Sequence, residues 1–82
     1  MQIKPLKARL AKFVRSHGLI TKLNKQIKLL EENYKHPSLN TEKLEPKELG
    51  LYSFRIDRQY RAIFHVLPTG EIQIIDINNH YH

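Results

Sequence analysis

Between residues 51 and 77 apolar and polar side chains alternate with a period of two. Tyr52, Phe54 and Ile56 alternate with Ser53, Arg55 and Asp57, and Tyr60, Ala62, Phe64 and Val66 alternate with Arg61, Ile63, His65 and Leu67. This is the period of strands that lay one face on a core. The pattern predicts a meander of three strands. Asp57-Arg58-Gln59 joins the first two, and a compact turn at Pro68-Thr69-Gly70 joins the last two. The third run is less regular, with Ile72 and Ile74 on one parity and Ile75 and Ile77 on the other. It fits either a central strand buried on both faces or a strand bulged near Ile74, and the central position is preferred. Asp76 would then lie close to both Arg55 and Arg61.

Upstream the period lengthens to that of a helix. Leu6, Leu10, Phe13, Val14 and His17 fall on one helical face, with Pro5 suited to the first turn and Gly18 to a left-handed stop. His17, at the end of that stripe, reads as an edge or capping histidine rather than a ligand. Ile20, Leu23, Ile27, Leu30 and Tyr34 then recur at spacings of three and four. Two amphipathic helices joined by about two residues around a glycine predict an antiparallel hairpin whose apolar stripes share one surface, which the sheet supplies. Residues 35–50 carry no period and read as a connecting loop, with Leu39 and Leu44 tucked under the sheet and the charged residues wet. Residues 1–4 could add only a very short strand through Ile3. The fold class expected is α+β, a helical hairpin on a small antiparallel sheet, in one domain spanning residues 1–82.

Composition narrows the function. The 82 residues carry 14 Lys and Arg against 8 Asp and Glu, a net charge of +6. Such a surface suits a polyanion or an acidic protein. The basic residues are spread over both helices and the sheet, which disfavours a membrane surface. Without cysteine there is no disulfide, thiolate zinc site or cysteine nucleophile, which suits a reducing cytoplasm. The first residues show no apolar leader-like stretch and no run approaches the roughly 18 residues that would cross a bilayer, so neither export nor a membrane span is expected.

Arg55 and Arg61 are the candidate chemistry within the meander. If the apolar faces of the first two strands share one core, both arginines project from the opposite face on neighbouring strands. That face is either simply solvated or holds an anion between two guanidinium groups, whose planar forks suit phosphate. The final residues, Asn78-Asn79-His80-Tyr81-His82, add two imidazoles and a phenol. His80-x-His82 could chelate a metal only with a third ligand, and none is nearby in the sequence.

The order of elements, together with His36-Pro37-Ser38-Leu39, Lys43-Leu44, Gly50-Leu51-Tyr52-Ser53-Phe54-Arg55-Ile56, Tyr60-Arg61-Ala62-Ile63-Phe64 and Ile75-Asp76-Ile77, resembles the RelE/ParE superfamily of toxin-antitoxin systems. The His80-Tyr81 ending is most similar to the branch that includes YoeB. The resemblance implies a type II toxin acting as an mRNA interferase, a cofactor-free and metal-free endoribonuclease that cuts messenger RNA on the ribosome. Its implied partners are mRNA, the ribosome and a cognate acidic antitoxin, with no membrane and no small-molecule cofactor. The same resemblance makes Glu42 the base, Arg61 the phosphate-stabilising arginine, Arg55 a neighbouring phosphate contact, His80 the general acid and Tyr81 an orienting phenol. Glu45 and Glu48 are alternatives to Glu42. Lys43 and Lys47 are further candidates for binding RNA phosphate, since the RelE branch relies on lysines near this region. Two other functions stay open: a ParE-like inhibitor that binds DNA gyrase, and an RNA-binding module that does not cut.

Overall fold

The computed structural model describes residues 2–79. Among them the chain forms α1 (Ala8–Ser16) and α2 (Ile20–Glu32), a 3-10 turn at Pro37–Leu39, β1 (Glu42–Lys43) and a second 3-10 turn at Lys47–Leu49. It ends with β2 (Tyr52–Arg55), β3 (Arg61–Val66) and β4 (Ile72–Asn78). The fold is α+β, with the helical hairpin packed on one face of an antiparallel sheet of order β1-β2-β3-β4. No helix among the described residues is long and apolar enough to cross a membrane.

The alternation in the meander sorts side chains as predicted. Phe54, Ile56, Ala62 and Phe64 are buried in a core shared with Leu10, Val14, Leu23 and Leu30 of the helices. Residues 35–50, read from the sequence as a loop, instead contribute a strand. Glu42 pairs with Ser53 and Lys43 with Tyr52. Two residues are too few to display a period, so β1 leaves no alternation in the sequence. Leu39 is fully buried, as expected.

β4 lies at the end of the strand order and is not central. The parity change that left two readings open is a bulge: Ile63 pairs with Asp76 while Phe64 pairs with Ile74, so Ile75 is the extra residue. Arg9 of α1 fastens this irregularity, donating from Nη2 to the Ile75 carbonyl (3.2 Å) and lying 3.7 Å from the Asp76 carboxylate. Asp76 faces Ile63 in the register, two residues along from the Asn78–Arg61 pair, and its carboxylate takes Arg9 and the Asn78 amide as partners.

At the N-terminus the expected short strand is reduced to one parallel bridge between Ile3 and Ile72. The Lys4 N–H donates to the Ile72 carbonyl, and the Ile72 N–H donates to the Gln2 carbonyl. This docking keeps the chain extended through Lys7, so α1 starts at Ala8 and Pro5 lies ahead of the helix instead of in its first turn. Gly18 ends α1 as predicted, at φ 64°. The Leu19 N–H donates to the Val14 carbonyl and the Gly18 N–H to the Arg15 carbonyl, the paired bonds of a Schellman stop. His17 caps the helix, its ring stacked on Phe13 at 3.9 Å and edge-on to Tyr60.

The stop folds Leu19 back into the core, so the buried stripe of α2 begins there, and Ile20 is left 47% exposed. Tyr34 lies beyond the end of α2 and is 39% exposed. Between Leu23 and Leu30 the stripe holds a polar residue, Gln26, which is buried. Its Nε2 donates to the carbonyls of Ser38 (3.1 Å) and Arg55 (2.7 Å), tying α2 to the first 3-10 turn and to the end of β2. Gln26→Leu would keep the packing volume but strip both carbonyls of a donor. It is expected to destabilise the protein by about 1–3 kcal/mol in urea unfolding, more than Ile20→Ala on the same helix.

Candidate functional site

The register decides which side chains share the sheet face turned away from the helices. Arg55 is the direct partner of Arg61, Ser53 of both Glu42 and Ile63, and Asn78 of Arg61. Paired residues project to the same side of an antiparallel sheet. Glu42, Ser53, Arg55 and Arg61 therefore occupy one face. A cleft of ≈330 Å³ opens there, lined by Glu42, Arg55 and Arg61 together with Asn40 and the β2–β3 turn residues Asp57, Arg58 and Gln59.

The two arginines are not equivalent. Arg55 is exposed, whereas Arg61 is 9% exposed and firmly held. Its Nε donates to Ser53 Oγ (3.1 Å), and its Nη2 donates to Ser53 Oγ (3.0 Å), to the Ser53 carbonyl (3.3 Å) and to the Asn40 carbonyl (2.6 Å). A buried charge is costly unless hydrogen-bonded, and these bonds both meet that cost and fix the plane of the guanidinium. Asn40 presents its carbonyl because it closes the first 3-10 turn in the left-handed region, at φ 46°. Asparagine tolerates that conformation better than most residues.

The floor of the cleft is braced at the β2–β3 turn. Asp57 Oδ1 accepts from the N–H groups of Gln59 and Tyr60, both at 2.8 Å, and Oδ2 accepts from Lys22 of α2 at 3.1 Å. Burial pushes the Asp57 carboxyl up, but the Tyr60 and Gln59 N–H groups and the Lys22 ammonium outweigh it and hold the group below its ordinary value. Asp57 is thus committed to structure, and Glu42 is the carboxylate on the strand beside it. Glu45 and Glu48 follow on the connection to β2 and are not among the residues lining the cleft.

Of the candidates named from the sequence, the structure gathers Glu42, Arg55 and Arg61. Lys43 points to the other side of β1, with its ammonium 5.7 Å from the centre of the Tyr52 ring. Lys47 begins the second 3-10 turn and does not line the cleft. His80, Tyr81 and the His80-x-His82 pair lie outside the described residues. Among the described residues no group of three or more His, Asp or Glu is arranged to hold a metal ion. Sequence reasoning missed Ser53, Asn40 and Gln26. Ser53 alone left a signal, as a small polar residue between Tyr52 and Phe54 on the face that carries the arginines.

The chain matches no protein-family profile and no curated protein by sequence. Its structure does match. A YoeB/ParE toxin from Agrobacterium tumefaciens superposes with a TM-score of 0.74 at 19% identity, over 99% of this chain and 100% of that one. YoeB in a heterotetrameric YoeB-YefM toxin-antitoxin complex from Staphylococcus aureus superposes with a TM-score of 0.69 at 24% identity, over 98% of this chain and 94% of that one. A YoeB dimer from the same organism gives 0.66 at 23% identity, with the same coverage. The chain therefore has the YoeB/ParE toxin fold, as the sequence resemblance predicted.

Asp57 gives a pH test of the brace. Because its native pKa is depressed, its contribution is fully present above the ordinary carboxylate value of 3.8 and is lost as pH falls through the native value. Asp57→Asn keeps an oxygen acceptor but loses the charge facing Lys22. It is expected to cost on the order of 1 kcal/mol at neutral pH, and thermal unfolding at a series of pH values should show the gap to the unaltered protein closing below about pH 3.8.

Proposed function

We propose that this protein is the toxin of a type II toxin-antitoxin system and a metal-independent endoribonuclease that cuts messenger RNA on the ribosome. The observation that carries the reading is the cleft in which the carboxylate of Glu42 shares a sheet face with two arginines, one of them held in place by Ser53 and Asn40. Direct cross-strand pairing of two like charges is unfavourable in isolation, and a phosphate between them removes the penalty.

In the proposed reaction the Glu42 carboxylate takes the proton of the 2′-hydroxyl, whose oxygen attacks the adjacent phosphorus. Charge builds on the equatorial oxygens of the phosphorane, where the fixed Arg61 stabilises it without reorganising and the exposed Arg55 adds a second positive group. The bond from phosphorus to the 5′-oxygen then breaks, and His80 gives that oxygen a proton, leaving a 2′,3′-cyclic phosphate and a 5′-hydroxyl. Tyr81 orients the leaving group. The assignment of His80 rests on the resemblance of the His80-Tyr81 ending to the YoeB branch. Lys43 and Lys47 would bind RNA outside the reacting phosphate.

A toxin must be neutralised in its own cell. The YoeB chains similar in fold are found with YefM, and a net charge of +6 calls for an acidic antitoxin here. The proposed site of action is the cytoplasm, where messenger RNA is translated.

Incubation with translating ribosomes and mapping of messenger 5′ ends tests the reading. New ends carrying 5′-hydroxyls are expected within the ribosomal A site, unchanged by a chelator that leaves ribosomes intact. Glu42→Gln, Arg61→Lys and His80→Ala should each slow cleavage about a hundredfold or more, while His82→Ala is mild. Growth arrest without new messenger ends, accompanied by gyrase inhibition, would overturn the ribonuclease assignment in favour of a protein-binding toxin.

A further inference from the structure

On the other side of Asn40 from the cleft runs a second concavity that the proposed reaction does not use. Two adjoining hollows of ≈180 Å³ and ≈350 Å³ share Tyr34 and Tyr52, and the larger reaches Asn40, the residue whose carbonyl holds Arg61. Phe64 and Val66 complete the apolar end. Two features make this more than a gap between elements. Tyr52 is locked in plane by stacking on Phe64, with centroids 5.5 Å apart and planes 20° apart, while Tyr34 and Val66 remain 39% and 42% exposed. Each tyrosine also carries an ammonium over its ring, Lys35 at 5.6 Å from Tyr34 and Lys43 at 5.7 Å from Tyr52. The charged side chains lining the groove, Lys35 and Lys43, are both cationic.

We propose that this groove takes the base of a nucleotide flanking the cleaved phosphate, stacked on the Tyr34 and Tyr52 rings, with Lys35 and Lys43 meeting its phosphates. Aromatic rings that take stacked bases, in a groove whose cations track the backbone, are how single-stranded nucleic acid is held without reading its sequence. Continuity supports this occupant, because Asn40 lines both concavities and a strand whose reacting phosphate sits at Arg61 can run from one to the other over β1. The alternation of β1 suits the crossing, with Glu42 on the reacting side and Lys43 on the stacking side. A peptide is less well served. The strand beside the groove, β1, is only two residues long, which offers little backbone for strand addition. The inference rests on reading the cleft as an RNA site, and it assigns Lys43 a definite place outside the chemistry.

The test uses the full chain and two fluorescent single-stranded 2′-O-methyl oligomers, which the proposed 2′-hydroxyl chemistry cannot cut. One carries bases, and the other is abasic with the same number of phosphates. The unaltered protein is expected to bind the base-bearing oligomer about tenfold or more tightly, the size of one base–aromatic stack. Tyr34→Ala and, separately, the packing-conservative Tyr52→Leu should remove most of that difference and leave abasic binding unchanged. Equal binding of both oligomers by the unaltered protein, or a base preference that survives both substitutions, would overturn the proposal. So would an acidic, apolar-anchored peptide that binds in a Tyr34-dependent way while the oligomers do not, since the groove would then be a protein-docking site. Messenger cleavage by the same preparations is scored separately: if Arg61→Lys cleaves as well as the unaltered protein, the catalytic reading fails while the base preference still reports on the groove.

Discussion

A guanidinium placed nine-tenths out of water must be hydrogen-bonded, and the way Arg61 meets that requirement organises the polar side of this fold. Its partners come from two directions. Ser53 lies on the neighbouring strand, and Asn40 closes a 3-10 turn before β1. The turn is in turn held by Gln26, whose amide bridges the Ser38 carbonyl and the Arg55 carbonyl from within the apolar stripe of α2. Helix, turn and two strands are thus fastened around one charged group. The result is an arginine whose plane is set before any ligand arrives, the condition under which a positive group stabilises a developing anion most effectively.

Around that fixed arginine the face divides into parts with different freedom. Arg55 is exposed and can follow a ligand, while Asp57 spends its carboxylate on the β2–β3 turn and on Lys22. Glu42 comes from the shortest strand, whose pairing with β2 is the means by which a residue 19 positions before Arg61 reaches the same cleft. The division suits a phosphodiester reaction, with a rigid charge at the reacting group, an adaptable one beside it and a carboxylate opposite. It also separates this side of β1 from the aromatic groove, and among the described residues Asn40 lines both.

What could be read in advance follows from how each feature writes itself into a sequence. The alternation from Tyr52 to Val66 and the stripes through Leu10, Val14, Leu23 and Leu30 are periodic burial, which residue type records directly. The stop at Gly18 is recorded because a positive φ favours one residue type. The pairing of Arg55 with Arg61 followed from a short connection between two alternating runs. Other features depend on where the chain docks. Ile3 bridging to Ile72 delayed α1 to Ala8, and the Schellman stop exchanged Leu19 for Ile20 in the core. The bulge at Ile75 appeared as a parity change with two meanings, and the preferred meaning was the wrong one. The anchoring of Arg61 was least legible because two of its acceptors, the Asn40 and Ser53 carbonyls, are backbone groups that every residue carries. Gln26 was hidden for a related reason: a polar side chain in a stripe looks like an interruption until its two carbonyl partners are known.

Ser53 and Asn40 fix Arg61 in the cleft with Glu42, and in the proposed reaction that position receives the phosphate. Proton-detected NMR of the arginine Nε–H groups tests it most directly, with a nucleoside 2′,3′-cyclic phosphate as the added ligand. A slowly exchanging Nε–H resonance is expected, one that disappears in Arg61→Lys, exchanges faster in Ser53→Ala and shifts when the cyclic phosphate is added. A rapidly exchanging Arg61 Nε–H, or a protected one indifferent to the ligand at saturating concentration, would contradict it.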